Sequence, residues 1–406
     1  MAAINRRDFG RLALALVARA GGLRGSSGLD EALRAGVARR NIPAAVFMAA
    51  TAGKTLFTGA YGKREASAKS DLTADAIFRI ASMTKAITST AAMQLVEKRT
   101  LALDEPVAKH LPRLAGLKVL AGFDRSDKPI LRPAKKPVTL RLLLSHTAGF
   151  AYDTWDANLL KYLTATPRVS GEQPVPPLVF EPGARWEYGT NVDWVGRLVE
   201  AASGTTLEAY FQRHILEPLG MSETSYILPP AKFGRLVSSY ERRNGALVET
   251  PLTQPAPPSS FNGGGGLYST ASDYVRFMQM ILRGGLGPDG QRILEAGTVE
   301  LMKANQIGGL RAGILKSVNP ARSSDLDLHP GHVDKFGLGF LINTDAYEGG
   351  RSEGSLAWAG LFNTYFWIDP RRQICGVGLM QYLPFADRDA LGLLGEFERA
   401  IYAGGA

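Results

Sequence analysis

Apolar positions along this chain change period several times, and each change marks a new element. From Leu29 to Arg40 they recur at helical spacing, leaving one apolar stripe. Ala44 to Ala50 and Lys54 to Tyr61 read instead as strands of a hairpin turning near Ala52-Gly53. Helical spacing returns in Ile87 to Val96 and in the amphipathic stretch Leu207 to Leu219. Proline-rich loops, Pro174 to Pro177 and Pro251 to Pro258, interrupt this middle region. The last third goes back to strands at Phe336 to Ile342, Ser355 to Leu361, Thr364 to Ile368 and Ile374 to Met380. A final helix is predicted from Arg388 to Tyr402. This order predicts an α+β fold whose antiparallel sheet is built from both ends of the chain and flanked by terminal helices. Residues 29–80 and 333–406 would form that α/β subdomain, and 81–332 an inserted, mainly helical one. Pockets favour such a cleft between two parts, so the site is expected there.

Composition narrows the class. A chain of 406 residues with 45% hydrophobic content can bury one large core or two intimate subdomains. No stretch approaches the roughly 18 consecutive apolar residues of a membrane span. Cys375 is the single cysteine, and its surroundings, Gln373 to Leu379, read as a buried strand. It can form no internal disulfide and is a poor candidate nucleophile.

The net charge of +9 raises the question of nucleic acid. Eight basic residues stand against two acidic ones between Arg113 and Arg141, so six of the excess charges are local. The stretch Lys118 to Leu140 reads as a β-hairpin turning at Asp124-Arg125-Ser126-Asp127, with Phe123 its one aromatic. That is a solvated basic arm, not a nucleic-acid fold. Beside a pocket it would steer anionic substrates. At the N-terminus, Asn5-Arg6-Arg7-Asp8-Phe9 resembles a twin-arginine export signal, with an apolar run from Leu12 to Ala18 and the small-x-small pattern Ala18-Arg19-Ala20. Residues 1–28 are read either as that signal, which implies the periplasm, or as a basic amphipathic helix of a cytoplasmic protein.

The candidate chemistry lies in Phe78-Arg79-Ile80-Ala81-Ser82-Met83-Thr84-Lys85. On a helix, positions i and i+3 share a face, so Lys85 can reach the Ser82 hydroxyl. Serine attacks at neutral pH only when a neighbouring base takes its proton. A lysine serves as that base when burial or a nearby cation depresses its pKa. The positive end of the helix dipole favours an oxyanion forming at the same place.

Other nucleophile patterns fare worse. Gly350-Arg351-Ser352-Glu353-Gly354 matches the Gly-x-Ser-x-Gly elbow of α/β-hydrolases, which needs a strand before it, a helix after it and a later histidine. The five histidines, at 110, 146, 214, 329 and 332, all precede Ser352. The motif is read as a turn. His146 is expected to fix a helix-to-loop turn, and His329 and His332 to sit in a solvated loop beside Asp327 and Asp334. Their spacing matches no zinc motif. Neither Glu353 nor Asp193 is given a chemical role.

Taken together, the motifs resemble the serine β-lactamase and penicillin-binding-protein superfamily from about Leu29 onward. Within it the chain is most similar to the class C β-lactamase-like, or family VIII, carboxylesterases. The resemblance rests on Ala81-Ser82-Met83-Thr84-Lys85, Leu103-Asp104-Glu105-Pro106-Val107, and Leu143-Leu144-Ser145-His146-Thr147-Ala148-Gly149-Phe150. It continues through Phe180-Glu181-Pro182-Gly183, Tyr188-Gly189-Thr190-Asn191 and Glu217-Pro218-Leu219-Gly220-Met221 to the glycine run 263–266 and Leu267-Tyr268-Ser269-Thr270-Ala271-Ser272-Asp273.

The resemblance implies a β-lactamase/transpeptidase-like fold and a Ser82 acyl-enzyme. Lys85 and Tyr188 would be the catalytic partners of Ser82, with no metal and no cofactor. A tyrosine acts as a base only if a nearby cation stabilises its phenolate, and Lys85 would supply that charge. Which of the two takes the first proton stays open. The backbone amides of Ser82 and Leu361 would form the oxyanion hole. Trp358, Ala359, Gly360 and Thr190 would contact substrate. Two departures matter. Trp358-Ala359-Gly360 stands where β-lactamases carry Lys-Thr-Gly, whose lysine and threonine bind the substrate carboxylate. Tyr188-Gly189-Thr190 stands where they carry Tyr-x-Asn, and Asn191 comes one residue late. Both losses weaken β-lactam recognition and leave acyl transfer intact. The expected activity is a carboxylesterase acting on small esters of short acyl chains. The alternatives are a β-lactamase or D-amino peptidase, an acyltransferase, and a silent ligand-binding protein. Oligomeric state is open.

Overall fold

The computed structural model describes residues 26–166 and 174–404. The twin-arginine and cleavage motifs lie outside these residues. Chain order runs α1 (Ser26–Arg39), β1 (Ala44–Thr51), β2 (Thr55–Gly62), α2 (Thr84–Glu97), α3 (Asn191–Ser203) and α4 (Ala271–Leu282). It ends with β3 (Lys335–Phe336), β4 (Leu341–Ile342), β5 (Leu356–Gly360), β6 (Thr364–Asp369), β7 (Ile374–Met380) and α5 (Arg388–Ala403), shorter elements filling the gaps.

The seven labelled strands form one antiparallel sheet in the order β3-β4-β5-β6-β7-β1-β2. Its closing seam pairs β1 with β7, from Ala45 opposite Met380 to Thr51 opposite Ile374, and so joins the two ends of the chain. Every residue of β5, β6 and β7 is buried. Strands buried on both faces need cover on both sides. Consecutive residues on β6 show what supplies it, since they point to opposite faces. Trp367 packs on Phe397 of α5, with centroids 5.4 Å apart. Phe366 packs on Tyr274 of α4 at 5.1 Å. The terminal helices therefore cover one face, with Arg40, the residue after α1, paired to Glu396 of α5 at 2.6 Å. The other face is covered by α4, from the middle of the chain. This helix, part of the region expected to be inserted and mainly helical, is amphipathic and buries its Tyr274, Phe277 and Met278 side against the strands.

Two expectations change. Phe336 to Ile342 is not one strand but the hairpin β3–β4, because Gly337-Leu338-Gly339 turns the chain, with Gly337 N donating to Phe340 O at 2.8 Å. Leu207 to Leu219 is regular only to Phe211 and continues as a wider helical turn, Gln212–Leu216. The basic arm does form its hairpin, Lys118–Phe123 with Pro129–Pro133. The Gly350–Gly354 motif is a turn between β4 and β5: Arg351 is buried and paired with Glu398 at 2.6 Å, and Ser352 N donates to Asp369. Among the described residues, no helix is long and apolar enough to cross a membrane.

Candidate active site

Phe78–Arg79 pairs antiparallel with Tyr268–Ser269, and Ile80 N donates to Leu267 O at 3.0 Å. This ladder holds the chain just before Ser82 against the segment that follows the glycine run. Ala81 then takes a left-handed backbone, φ +46°. That costs an L-residue roughly 1–2 kcal/mol and must be held by its surroundings. It breaks the strand and starts the tight turn Ala81–Met83, which runs directly into α2. Tyr274 of α4 donates to Met83 O at 2.9 Å and fixes the turn from below. Thr84 to Leu95 of α2 are all buried, so the helix is central.

Lys85 is 1% exposed. Its Nζ lies 3.0 Å from Ser82 Oγ, 3.2 Å from the Tyr152 hydroxyl and 2.6 Å from Gly264 O. Three acceptors match the three hydrogens of an ammonium. Tyr152 in turn donates to Asp193 Oδ2 at 3.2 Å. Gly264 permits this arrangement, since a Cβ there would fall 2.2 Å from Asp193 Oδ2. Asp193 stands in the first turn of α3 and keeps some exposed surface, yet protein surrounds its carboxyl closely enough that burial raises its pKa, with Lys85 opposing. Burial, and then the Asp193 charge, hold the Tyr152 phenol well above its usual range.

Tyr188 is placed differently from Tyr152. Its ring faces Lys85, with Nζ 4.9 Å from the centroid, a distance for cation–π attraction. Its hydroxyl accepts from Trp358 Nε1 at 3.4 Å. His146, at φ +56°, turns the chain after the helix Leu140–Leu144. It is packed among the rings of Tyr188, Trp186, Phe336 and Trp358 and bonded to Asn191 Nδ2 at 3.0 Å. Burial and the charge of Lys85 push its pKa well below the usual value.

Ser82 opens into a cavity of about 350 Å³. Its walls are largely aromatic and apolar, from Trp155, Tyr188, Trp358, Phe362 and Phe385, with Arg79 and Arg322 among them. Of the residues expected to touch substrate, Trp358, Ala359 and Gly360 line this cavity, as does Leu361, expected to supply an oxyanion-hole amide. Thr190 is not among the residues that line it and stands immediately before α3, whose first residue is Asn191. Asn191 is buried and donates to Phe150 O at 3.1 Å. Sequence reasoning missed Tyr152 and gave Asp193 no role. Tyr152 comes two residues after the quoted Leu143–Phe150 motif, and Asp193 five after Tyr188. Nothing in that spacing shows that they meet. Among the described residues, no group of three or more His, Cys, Asp or Glu side chains is placed to hold a metal.

Fold and site define an enzyme of the serine hydrolase and acyltransferase superfamily. Residues 29–397 match the Beta-lactamase family model, and the chain belongs to that family. It is 32% identical over 405 residues to monacolin J acid methylbutanoyltransferase of Aspergillus terreus, spanning 92% of this chain and 95% of that protein. It is 31% identical over 396 residues to lovastatin esterase of Penicillium rubens, spanning 92% and 98%. The structure of unliganded simvastatin synthase (LovD) from Aspergillus terreus, in its selenomethionyl form, superposes with a TM-score of 0.81 at 32% identity, covering 93% of this chain and 98% of that one.

Proposed function

We propose that this chain hydrolyses small carboxylic esters of short acyl chains through a Ser82 acyl-enzyme. One observation carries the reading: a buried lysine amine stands 3.0 Å from the hydroxyl of a serine that opens into an apolar cavity. Ser82 Oγ attacks the ester carbonyl while Lys85 takes its proton. The oxyanion is held between the backbone amides of Ser82 and Leu361, which both belong to residues of the cavity wall. Lys85 returns the proton to the leaving alcohol, assisted by the Tyr188 hydroxyl on the same wall. Water then repeats the sequence on the acyl-enzyme. Trp358, in the place of a carboxylate-binding lysine, makes the wall aromatic and disfavours β-lactams.

A second reading is acyl transfer, in which an alcohol replaces water as the acceptor. It is supported by the similarity to monacolin J acid methylbutanoyltransferase, just as hydrolysis is supported by that to lovastatin esterase. One experiment tests both. p-Nitrophenyl butyrate turnover is measured for wild type and Ser82→Ala, with and without added alcohols, and with nitrocefin alongside. Ester turnover lost in Ser82→Ala, with little nitrocefin cleavage, supports the proposal; a butyryl ester of the added alcohol as main product supports transfer. Turnover that survives Ser82→Ala sinks both.

A further inference from the structure

Lys85 meets three acceptors, and that raises a difficulty for the chemistry. An ammonium that donates to Ser82 Oγ has no lone pair with which to take the Ser82 proton. The nucleophile needs the neutral amine, so the site must dispose of one proton before attack. Gly264 O can only accept a hydrogen bond. Tyr188 presents its ring face to Lys85, and its hydroxyl is bonded to Trp358 Nε1. The remaining contact is Tyr152, and beyond it Asp193.

We propose that Asp193, acting through the Tyr152 hydroxyl, withdraws the proton of Lys85 and leaves it a neutral base beside Ser82. The step balances within the chain of contacts. A Lys85 N–H bond breaks as its proton bonds to the Tyr152 oxygen, and the Tyr152 O–H proton bonds to Asp193 Oδ2. An ammonium, a phenol and a carboxylate become an amine, a phenol and a carboxylic acid. Tyr152 begins and ends neutral, so no phenolate forms. Two opposite charges vanish together in surroundings that penalise both, which keeps the two states close in energy. Lys85 then accepts the Ser82 proton as Oγ attacks. Asp193 is thus a positioning residue with a proton function, acting on the reacting atoms only through Tyr152 and Lys85.

The surrounding groups fit this assignment. Against Lys85 stand the Tyr188 ring and His146, whose imidazole is held neutral by burial and by that same lysine. Against Asp193 stand Tyr152, a hydrogen bond from the Asn262 side chain, and Tyr226, whose phenol burial holds well above its usual range. Glu208, Asp193 and Glu200 add to that burial and disfavour a Tyr226 phenolate, so Tyr226 stays neutral beside Asp193. Among the described residues, Lys85 makes its hydrogen bonds to Ser82, Tyr152 and Gly264, and no carboxylate is among these partners.

The inference rests on the Ser82 acyl-enzyme reading, and the test separates the two. kcat/KM for p-nitrophenyl butyrate is followed from about pH 5.5 to about pH 9.5 for wild type, Asp193→Asn, Tyr152→Phe and the double variant. An Asn oxygen can still accept the Tyr152 hydrogen bond but cannot take its proton. In Asp193→Asn, activity near neutrality is expected to fall about 10²-fold with KM little changed. The loss should shrink as pH rises and solvent deprotonates Lys85, so the acid limb moves upward by about one pH unit or more. Tyr152→Phe should move the same limb, and the double variant should be no worse than the weaker single one. An unmoved acid limb, or a loss equal at every pH, overturns the inference, because a purely structural role predicts that. If Asp193→Asn does not fold, Tyr152→Phe decides by the same criterion. A fluorophosphonate probe that fails to label Ser82 in the wild type brings down the acyl-enzyme reading and this inference together. Ser82-dependent labelling and turnover with an unmoved limb brings down the inference alone.

Discussion

Gly360 offers a sharp test of how strand β5 serves the nucleophile. A Cβ at this position would lie 2.3 Å from Ile80 O and 2.3 Å from Thr364 Oγ1. Thr364 can rotate its hydroxyl aside. Ile80 O cannot move alone, because it accepts from Met83 N at 3.1 Å and so belongs to the turn that carries Ser82. Opening 2.3 Å to an ordinary contact of about 3.4 Å requires about 1.1 Å of backbone separation between β5 and that turn. Overpacking of this kind costs about 1–3 kcal/mol of stability. The chemical cost should be larger, since the strand and the turn each contribute one proposed oxyanion amide, from Leu361 and Ser82. Misplacing reacting groups by about 1 Å can cost about 10²-fold in rate. Gly360→Ala is therefore expected to lower kcat on p-nitrophenyl butyrate about 10²-fold, with KM changed far less, and to label more slowly with a fluorophosphonate. Melting curves taken in parallel show how much of the protein is folded at the assay temperature. A variant that melts several degrees lower yet keeps kcat within about threefold of wild type would refute the argument. It would mean that the sheet absorbs the methyl without moving Leu361, or that Leu361 donates nothing to the oxyanion.

Two further outcomes follow from groups whose pKa values burial displaces. The Glu187 carboxyl is raised from 4.5 to about 7, first by burial and against the opposing charge of Arg185. The folded state then holds its proton more tightly than the unfolded one, so this group favours folding below about pH 4.5 and the benefit is lost as pH rises through about 7. Glu187→Gln should remove that slope and raise the melting temperature at pH 8 relative to wild type, by about 1–3 kcal/mol in stability; equal slopes in the two proteins would contradict it. The Cys375 thiol is pushed up to about 12 by burial in β7. It should stay unreactive to dithiobis-nitrobenzoate at pH 8 in the native protein and react with one equivalent on unfolding, whereas native-state labelling at the rate of a free thiol would contradict its burial.

Most of the sheet could be read in the chain because periodicity is a local property. β7 was predicted and found at Ile374 to Met380, since a continuous apolar run between turn residues specifies a fully buried strand. β1, β2, β5, β6 and α5 fall within one residue of their expected ends, and α1 starts three residues earlier than expected and ends one earlier. The failures are also local in cause. In Phe336 to Ile342 the apolar residues suggested continuity, while Gly337 and Gly339 permitted the fold-back that made a hairpin. The cover that α4 gives the sheet was hidden because a stripe on a helix says that it packs, not on what. The site divides in the same way. Ser82 and Lys85 share one helical turn, so their contact follows from sequence spacing alone. Tyr152 and Asp193 come from a loop and a distant helix, 67 and 108 residues beyond Lys85, and only the folded chain shows that they converge.

The aromatic wall explains how charge is distributed around Ser82. Trp358 packs on Tyr188 with centroids 4.8 Å apart and on Phe336 at 5.4 Å, and its indole N–H is directed to the Tyr188 hydroxyl. A lysine at 358 would place an ammonium against this apolar cluster and near Lys85. Two cations so close in low dielectric would each disfavour the charged form of the other. With tryptophan there, the wall adds no second ammonium beside Lys85. The remaining cavity cations, Arg79 and Arg322, come from other segments of the wall. Arg79 lies three residues before Ser82 and is braced by Val237 O at 3.3 Å and by the Tyr268 ring. The same wall thus presents an apolar surface, which on the proposed reading would receive an acyl or alkyl group.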